Sequence, residues 1–165
     1  MAEYRKGKFK YGFGLNDADL LNEAIIMQAF IDYLGGAYVA EKIVEAIAGL
    51  VCGKKIDYKI VDPHKNRIIG YAEVKRRNLT LEKLKKYGGL FLSKKKYNVL
   101  KEKCIGARCV YVAGLNDVIG YHSINDDEIV KEFIGGGGAT NRNSKDDYEP
   151  MVVFHPETFK IIARR

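Results

Sequence analysis

The chain has 165 residues, 47% of them hydrophobic and 30% charged, which gives one domain with a core of its own and excludes a disordered or fibrous chain. Lys and Arg outnumber Asp and Glu by 28 to 21, a formal charge of +7 that favours a polyanionic partner without naming one. The longest apolar stretch, Ile43 to Cys52, is interrupted by Glu45 and falls short of the roughly 18 residues that a membrane span needs.

The basic start, MAEYRKGKFKYGFG, lacks the apolar centre of a signal peptide. The expectation is a soluble, cytoplasmic protein without a membrane partner. A single domain would cover 1–165, with a basic arm at 1–15 and a flexible Gly-rich, polar loop at 135–150. The three cysteines, Cys52, Cys104 and Cys109, form no CxxC, and the three histidines have no zinc spacing. They predict reduced thiols, at least two of them in the core.

In chain order, the arm interleaves Arg5, Lys6, Lys8 and Lys10 with Tyr4, Phe9, Tyr11 and Phe13. That pattern suits tracking a phosphate backbone, stacking on unpaired bases, or docking as an edge strand. A helix follows from Asn16 or Asp17, with Leu20, Ala24, Met27, Ile31 and Leu34 as its apolar stripe and Gly35-Gly36 as its stop. A second helical pattern covers Tyr38 to Leu50. Residues 56–61 and 67–75 are β-branched and aromatic around the turn residues 62–66, and read as a hairpin.

Helices are predicted over about 80–87 and over 94–103 with a Ser93 cap, then strands over 107–115 and 118–124. Asn125 caps a short helix over DDEIVKEFI, and a last strand covers 151–155. The fold class is therefore α/β (α+β), a central mixed sheet flanked by helices. His122 and His155 fall in strand patterns and read as structural. Gly135 to Gly138 lacks the Lys-Ser/Thr of a phosphate loop.

The hairpin carries the chemistry. A turn centred on Lys65 sets Asp57 across from Glu73, Lys59 across from Tyr71 and Val61 across from Ile69. Directly opposed side chains are only about 5 Å apart. Lys75 shares the Glu73 face, while Tyr58, Ile60, Ile68, Ala72 and Val74 form the face expected in the core. Two acids that close repel each other unless a proton or cation lies between them. A divalent metal resolves the conflict, and Mg²⁺ takes one or two carboxylates with waters and phosphate oxygens. Lys75 beside it can orient a water or steady a charged phosphate.

Asp57 followed after fifteen residues by Glu73-Val74-Lys75 resembles the signature of PD-(D/E)XK nucleases, a superfamily of restriction enzymes, Holliday-junction resolvases and phage recombination nucleases. The resemblance covers roughly 17–124 and implies a restriction-endonuclease-like core. It implies that Asp57, Glu73 and the carbonyl of Val74 bind Mg²⁺, with Mn²⁺ able to substitute, and that Lys75 positions the attacking water. A leading-helix Glu often joins such sites; Glu23 matches best, with Glu41 or Glu45 as alternatives. Ile56 stands where the motif has proline, and Asp62-Pro63 lies in the turn.

The reading is a Mg²⁺-dependent DNA endonuclease, structure-selective and of phage or mobile-element type. It would act on double-stranded or branched DNA, with a homodimer in keeping with family habit. Its rivals are an inactive nuclease-fold DNA-binding or assembly protein and an RNA-directed nuclease. Arg76, Arg77, Lys94, Lys95 and Lys96 are the candidate nucleic-acid contacts. The bland reading makes the acids ordinary exposed charges and the lysines a solvated face.

Overall fold

The computed structural model describes residues 17–43, 56–125, 129–135 and 149–165. The basic arm, Glu45, Cys52, the 44–50 part of the expected second helix and most of the 135–150 loop lie outside them.

Helix α1 spans Asp17–Tyr33. Its buried face is Glu23, Ile26, Met27, Phe30 and Ile31, a three-four spacing. Met27 and Ile31 were expected there; Ala24 is exposed, because the stripe turns toward Ile26 and Phe30. The leading half of the expected second helix is instead strand β1, Val39–Lys42. Its main chain pairs with β2, Tyr58–Asp62, from Val39–Val61 to Lys42–Tyr58. An available sheet edge outweighs the weak helical preference of a four-residue segment.

Strand β2 returns antiparallel to β3, Arg67–Arg76. The Asp62 carboxylate accepts from the amides of His64 and Lys65 at 3.0 and 3.2 Å, and Asn66 takes a positive φ of 48°. This is the turn chemistry read from the sequence. Lys59 faces Tyr71 as expected, but a bulge between Ile60 and Val61 pairs Val61 with Ile68 rather than Ile69. Ile68, expected in the core, is 43% exposed near the hairpin tip.

After β3 come α2 (Leu81–Lys86), capped by Thr80, then β4 (Phe91–Ser93) and α3 (Lys94–Lys103). Strand β5 (Arg108–Gly114) runs parallel to β3, and β6 (Val118–Ser123) returns antiparallel to β5. The short helix expected after Asn125 is overturned over Ile129–Gly135, which forms β7. Strand β7 pairs with β8, Glu149–Phe154, and a 3₁₀ turn at Pro156–Thr158 leads to β9, Lys160–Arg164.

Two sheets result, one of six strands ordered β1-β2-β3-β5-β6-β9 and one of three ordered β4-β8-β7. On one face of the larger sheet, Ile26, Met27, Phe30 and Ile31 of α1 pack on Tyr58, Ile60, Ala72, Val74 and Val112. On the other face, Leu84, Leu92, Leu100, Val152 and Phe154 cover Cys109, Tyr111 and Ala113. Strands β3 and β5 are thus covered on both sides, which is why β5 is apolar nearly throughout.

Cys104 and Cys109 are free thiols. Burial and contact with Cys104 push the Cys109 thiol up to about 12. His122 is fully buried, bonded to Thr158 at 3.0 Å and stacked on Phe154, a structural role as expected.

Gly89 joins α2 to β4 at φ +124°, where a Cβ would lie 2.0 Å from the Phe154 carbonyl oxygen. Gly89→Ala is expected to destabilise the fold by about 2–4 kcal/mol, read as a lower urea midpoint at unchanged m-value.

Candidate active site

Strand β3 is central, so its side chains alternate between two covered faces. Ala72 and Val74 face α1, whereas Glu73 points to the opposite layer beside Tyr111, its parallel neighbour on β5. Glu73 is fully buried. A carboxylate there is costly unless cations and donors surround it.

The β2–β3 ladder ends at Tyr58–Ala72. Beyond it the Asp57 side chain replaces a strand partner, accepting the Val74 amide on Oδ2 at 2.9 Å. The Asp57 carbonyl meanwhile accepts from Ile43 at 2.8 Å, tying this residue to the end of β1. Asp57 thus lies just past the ladder rather than in a ladder pair with Glu73, but its charge reaches Glu73 and raises that group's pKa. The N–H and C=O of one strand residue point to the same side. Val74, whose amide meets Asp57, therefore turns its carbonyl toward Asp57 where β2 has ended.

Lysines close the site. Lys75 Nζ lies 3.3 Å and Lys96 Nζ 2.5 Å from Glu73 Oε1. Lys42 Nζ lies 2.6 Å from Glu23 Oε2 and 3.7 Å from Asp57 Oδ1, held over the Tyr58 ring. Three carboxylates, Glu23, Asp57 and Glu73, are met by three ammonium groups. Among the described residues, Glu23 reaches the site through Lys42. Glu41 is taken up by Lys59 at 3.3 Å.

Burial works to raise both acids, and their neighbours then drive them apart. At Asp57 the charges of Lys96, Lys42 and Lys75, with the Val74 amide, outweigh burial and hold the carboxyl below its ordinary value. At Glu73 burial and the Asp57 charge prevail over Lys96 and Lys75, and the pKa rises. Burial opposes the Lys96 ammonium, but Glu73 and Asp57 overcome it and raise its pKa. A pair of acids with separated affinities for protons is a hallmark of functional sites.

Both lysines use Glu73 Oε1. Oε2 is buried and has no hydrogen-bond partner among the described residues. An oxygen left without a donor in the interior asks for a cation. Among the described residues no three His, Cys, Asp or Glu side chains gather into a cage. The groups that could hold a cation are instead two carboxylates and a main-chain carbonyl, hard oxygens of the kind that suit Mg²⁺ or Mn²⁺.

The five candidate nucleic-acid contacts separate. Arg77 turns inward, its guanidinium 3.2 Å from both the Phe91 carbonyl and the Tyr111 hydroxyl and stacked over the Phe91 ring. Arg76 is exposed and donates to Asn116 at 3.2 Å, and Lys94 pairs with Glu132 at 2.8 Å. Lys95 is exposed. Lys96 alone enters the carboxylate cluster. Sequence reasoning grouped it with the candidate nucleic-acid contacts and passed over Lys42.

Residues 27–162 match the family described as phage putative PDDEXK endonuclease. Among solved structures, a Holliday junction resolvase of the archaeal hyperthermophile Archaeoglobus fulgidus is similar at 12% identity. The match covers 77% of this chain and 85% of that one, with a TM-score of 0.43. No curated protein sequence matches the chain significantly. No helix among the described residues is long and apolar enough to cross a membrane.

Proposed function

This chain belongs to the phage putative PDDEXK endonuclease family, and on that premise we propose that it is a Mg²⁺-dependent DNA endonuclease that acts as a single domain on double-stranded or branched DNA. The observation that carries the reading is Glu73, fully buried beside Asp57 with one carboxylate oxygen left unpartnered.

Asp57, Glu73 and the Val74 carbonyl would hold the cation. When bound, it supplies Lewis-acid polarisation of the phosphate and a lowered pKa for water. Asp57 stays anionic because three lysines surround it. Lys75 has its side chain 35% exposed, so its ammonium can reach solvent and substrate. There it orients the attacking water toward phosphorus and neutralises charge that builds on the phosphate oxygens. Water adds to phosphorus as the bond to the 3′ oxygen breaks, leaving a 5′-phosphate and a 3′-hydroxyl. Glu23 acts through Lys42, which holds Asp57 in place.

Exposed Arg76 and Lys95 carry the backbone contacts. Arg76→Ala and Lys95→Ala are each expected to reduce the slope of log K against log salt by about one, measured by fluorescence anisotropy on duplex DNA. Inward-turned Arg77 is expected to act on stability instead.

The decisive assay offers supercoiled plasmid and four-way junctions with Mg²⁺, Mn²⁺ or EDTA. Cleavage with either metal and none with EDTA supports the reading. DNA binding without cleavage of any substrate in any metal would overturn it, and preference for matched RNA would redirect it.

A further inference from the structure

Lys96 is the anomaly of this site. It is the third residue of α3, a ten-residue helix whose first turn is Lys94, Lys95 and Lys96 with no acid among them. A helix N-terminus carries partial positive charge, so lysines there oppose the macrodipole. Helix propensity gives no reason for that placement. The tertiary structure does: Lys94 reaches Glu132 and Lys96 reaches Glu73.

The contact with Glu73 is closer and more enclosed than that of Lys75, with side-chain exposures of 17% and 35%. Glu73 is fully buried with a second anion nearby, so a carboxylate there requires a counter-charge inside the protein. Lys75, on the same strand and half in solvent, supplies part of it. Lys96, delivered from another layer of the fold, supplies the rest.

We propose that Lys96 is a positioning residue, a built-in counter-cation that pairs with Glu73 and holds it aimed while the divalent ion is absent and gives way when that ion binds. The inference rests on the metal-dependent reading above and deepens it. A tethered ammonium and a free dication compete for the same carboxylate, so each weakens the other. Lys96 therefore matters most to the metal-free protein.

The test compares wild type, Lys96→Met and Lys96→Arg by thermal unfolding, in EDTA and in saturating Ca²⁺ as a non-cleaving probe. Lys96→Met is expected to melt about 5 °C below wild type in EDTA and level with it in Ca²⁺. Its apparent Ca²⁺ affinity should be about tenfold tighter, and Lys96→Arg should melt like wild type in both buffers. In a Glu73→Gln background, Lys96→Met should cost nothing in EDTA.

A deficit of equal size in both buffers would show that Lys96 only packs, and would overturn the inference while leaving the metal site standing. No deficit in EDTA would overturn it as well. If wild type itself gains no stability from Ca²⁺, Mg²⁺ or Mn²⁺, both the inference and the metal-dependent reading fall. Should Lys96→Met not fold in either buffer, Lys96→Gln, which keeps the stem and a polar head, takes its place in the same comparison.

Discussion

Glu73→Gln is expected to abolish Mg²⁺-dependent cleavage, by about a thousandfold or more, without lowering the stability of the metal-free protein. Asp57→Asn is expected to lose activity to the same extent but also to melt several degrees lower. The two acids differ because their surroundings shift them in opposite directions. Asp57 has a depressed pKa; its charge stabilises the fold above the unfolded-state value, and that contribution disappears as pH falls through the folded value. Glu73 has a raised pKa; its ionisation weighs against the fold as pH rises through the unfolded and then the folded value.

Ionising Glu73 therefore opposes stability, as sites retained for chemistry commonly do. Gln preserves the shape and an acceptor for Lys96 while removing the charge. Melting curves in EDTA at pH 7, set beside single-turnover cleavage in Mg²⁺, check both halves. Glu73→Gln melting well below wild type would show that the carboxylate is held for structure.

Much of this site was legible in the sequence because it is local. Asp57, Glu73 and Lys75 lie on one hairpin, where turn chemistry at Asp62 to Asn66 and period-two alternation fix which side chains share a face. Lys42 and Lys96 were hidden for the opposite reason. They reach their acids across 19 and 23 residues of chain, and such meetings depend on how layers pack. The one local hint of Lys96 was a lysine-rich first turn that runs against the helix dipole.

The misread strands share a cause. Val39–Lys42 and Ile129–Gly135 are short segments without strict alternation, and each adopts β structure because β2 or β8 presents an edge. Pairing with a distant strand overrides local preference. The bulge at Ile60 is likewise invisible locally, and it moved Val61 and Ile68 without disturbing the Tyr58–Ala72 end that leads to Asp57.

Lys75→Ala is expected to slow single-turnover cleavage by about a hundredfold to a thousandfold while leaving DNA affinity and the Ca²⁺-induced rise in melting temperature close to wild type. Lys96 still neutralises Glu73 at 2.5 Å, so the loss of Lys75 spares the carboxylates their counter-charge. What Lys75→Ala removes is the ammonium at the solvent-facing mouth, where the proposed reaction seats the phosphate and the attacking water. Lys75→Arg should recover little, because a planar fork cannot replace a compact point charge that holds one water. On the proposed reading, two lysines on one oxygen divide the work by exposure, the outer one serving substrate and the inner one serving Glu73. Should Lys75→Ala cleave at the wild-type rate while Lys96→Met is inactive, the roles are reversed, and the catalytic ammonium comes from α3 rather than from the strand.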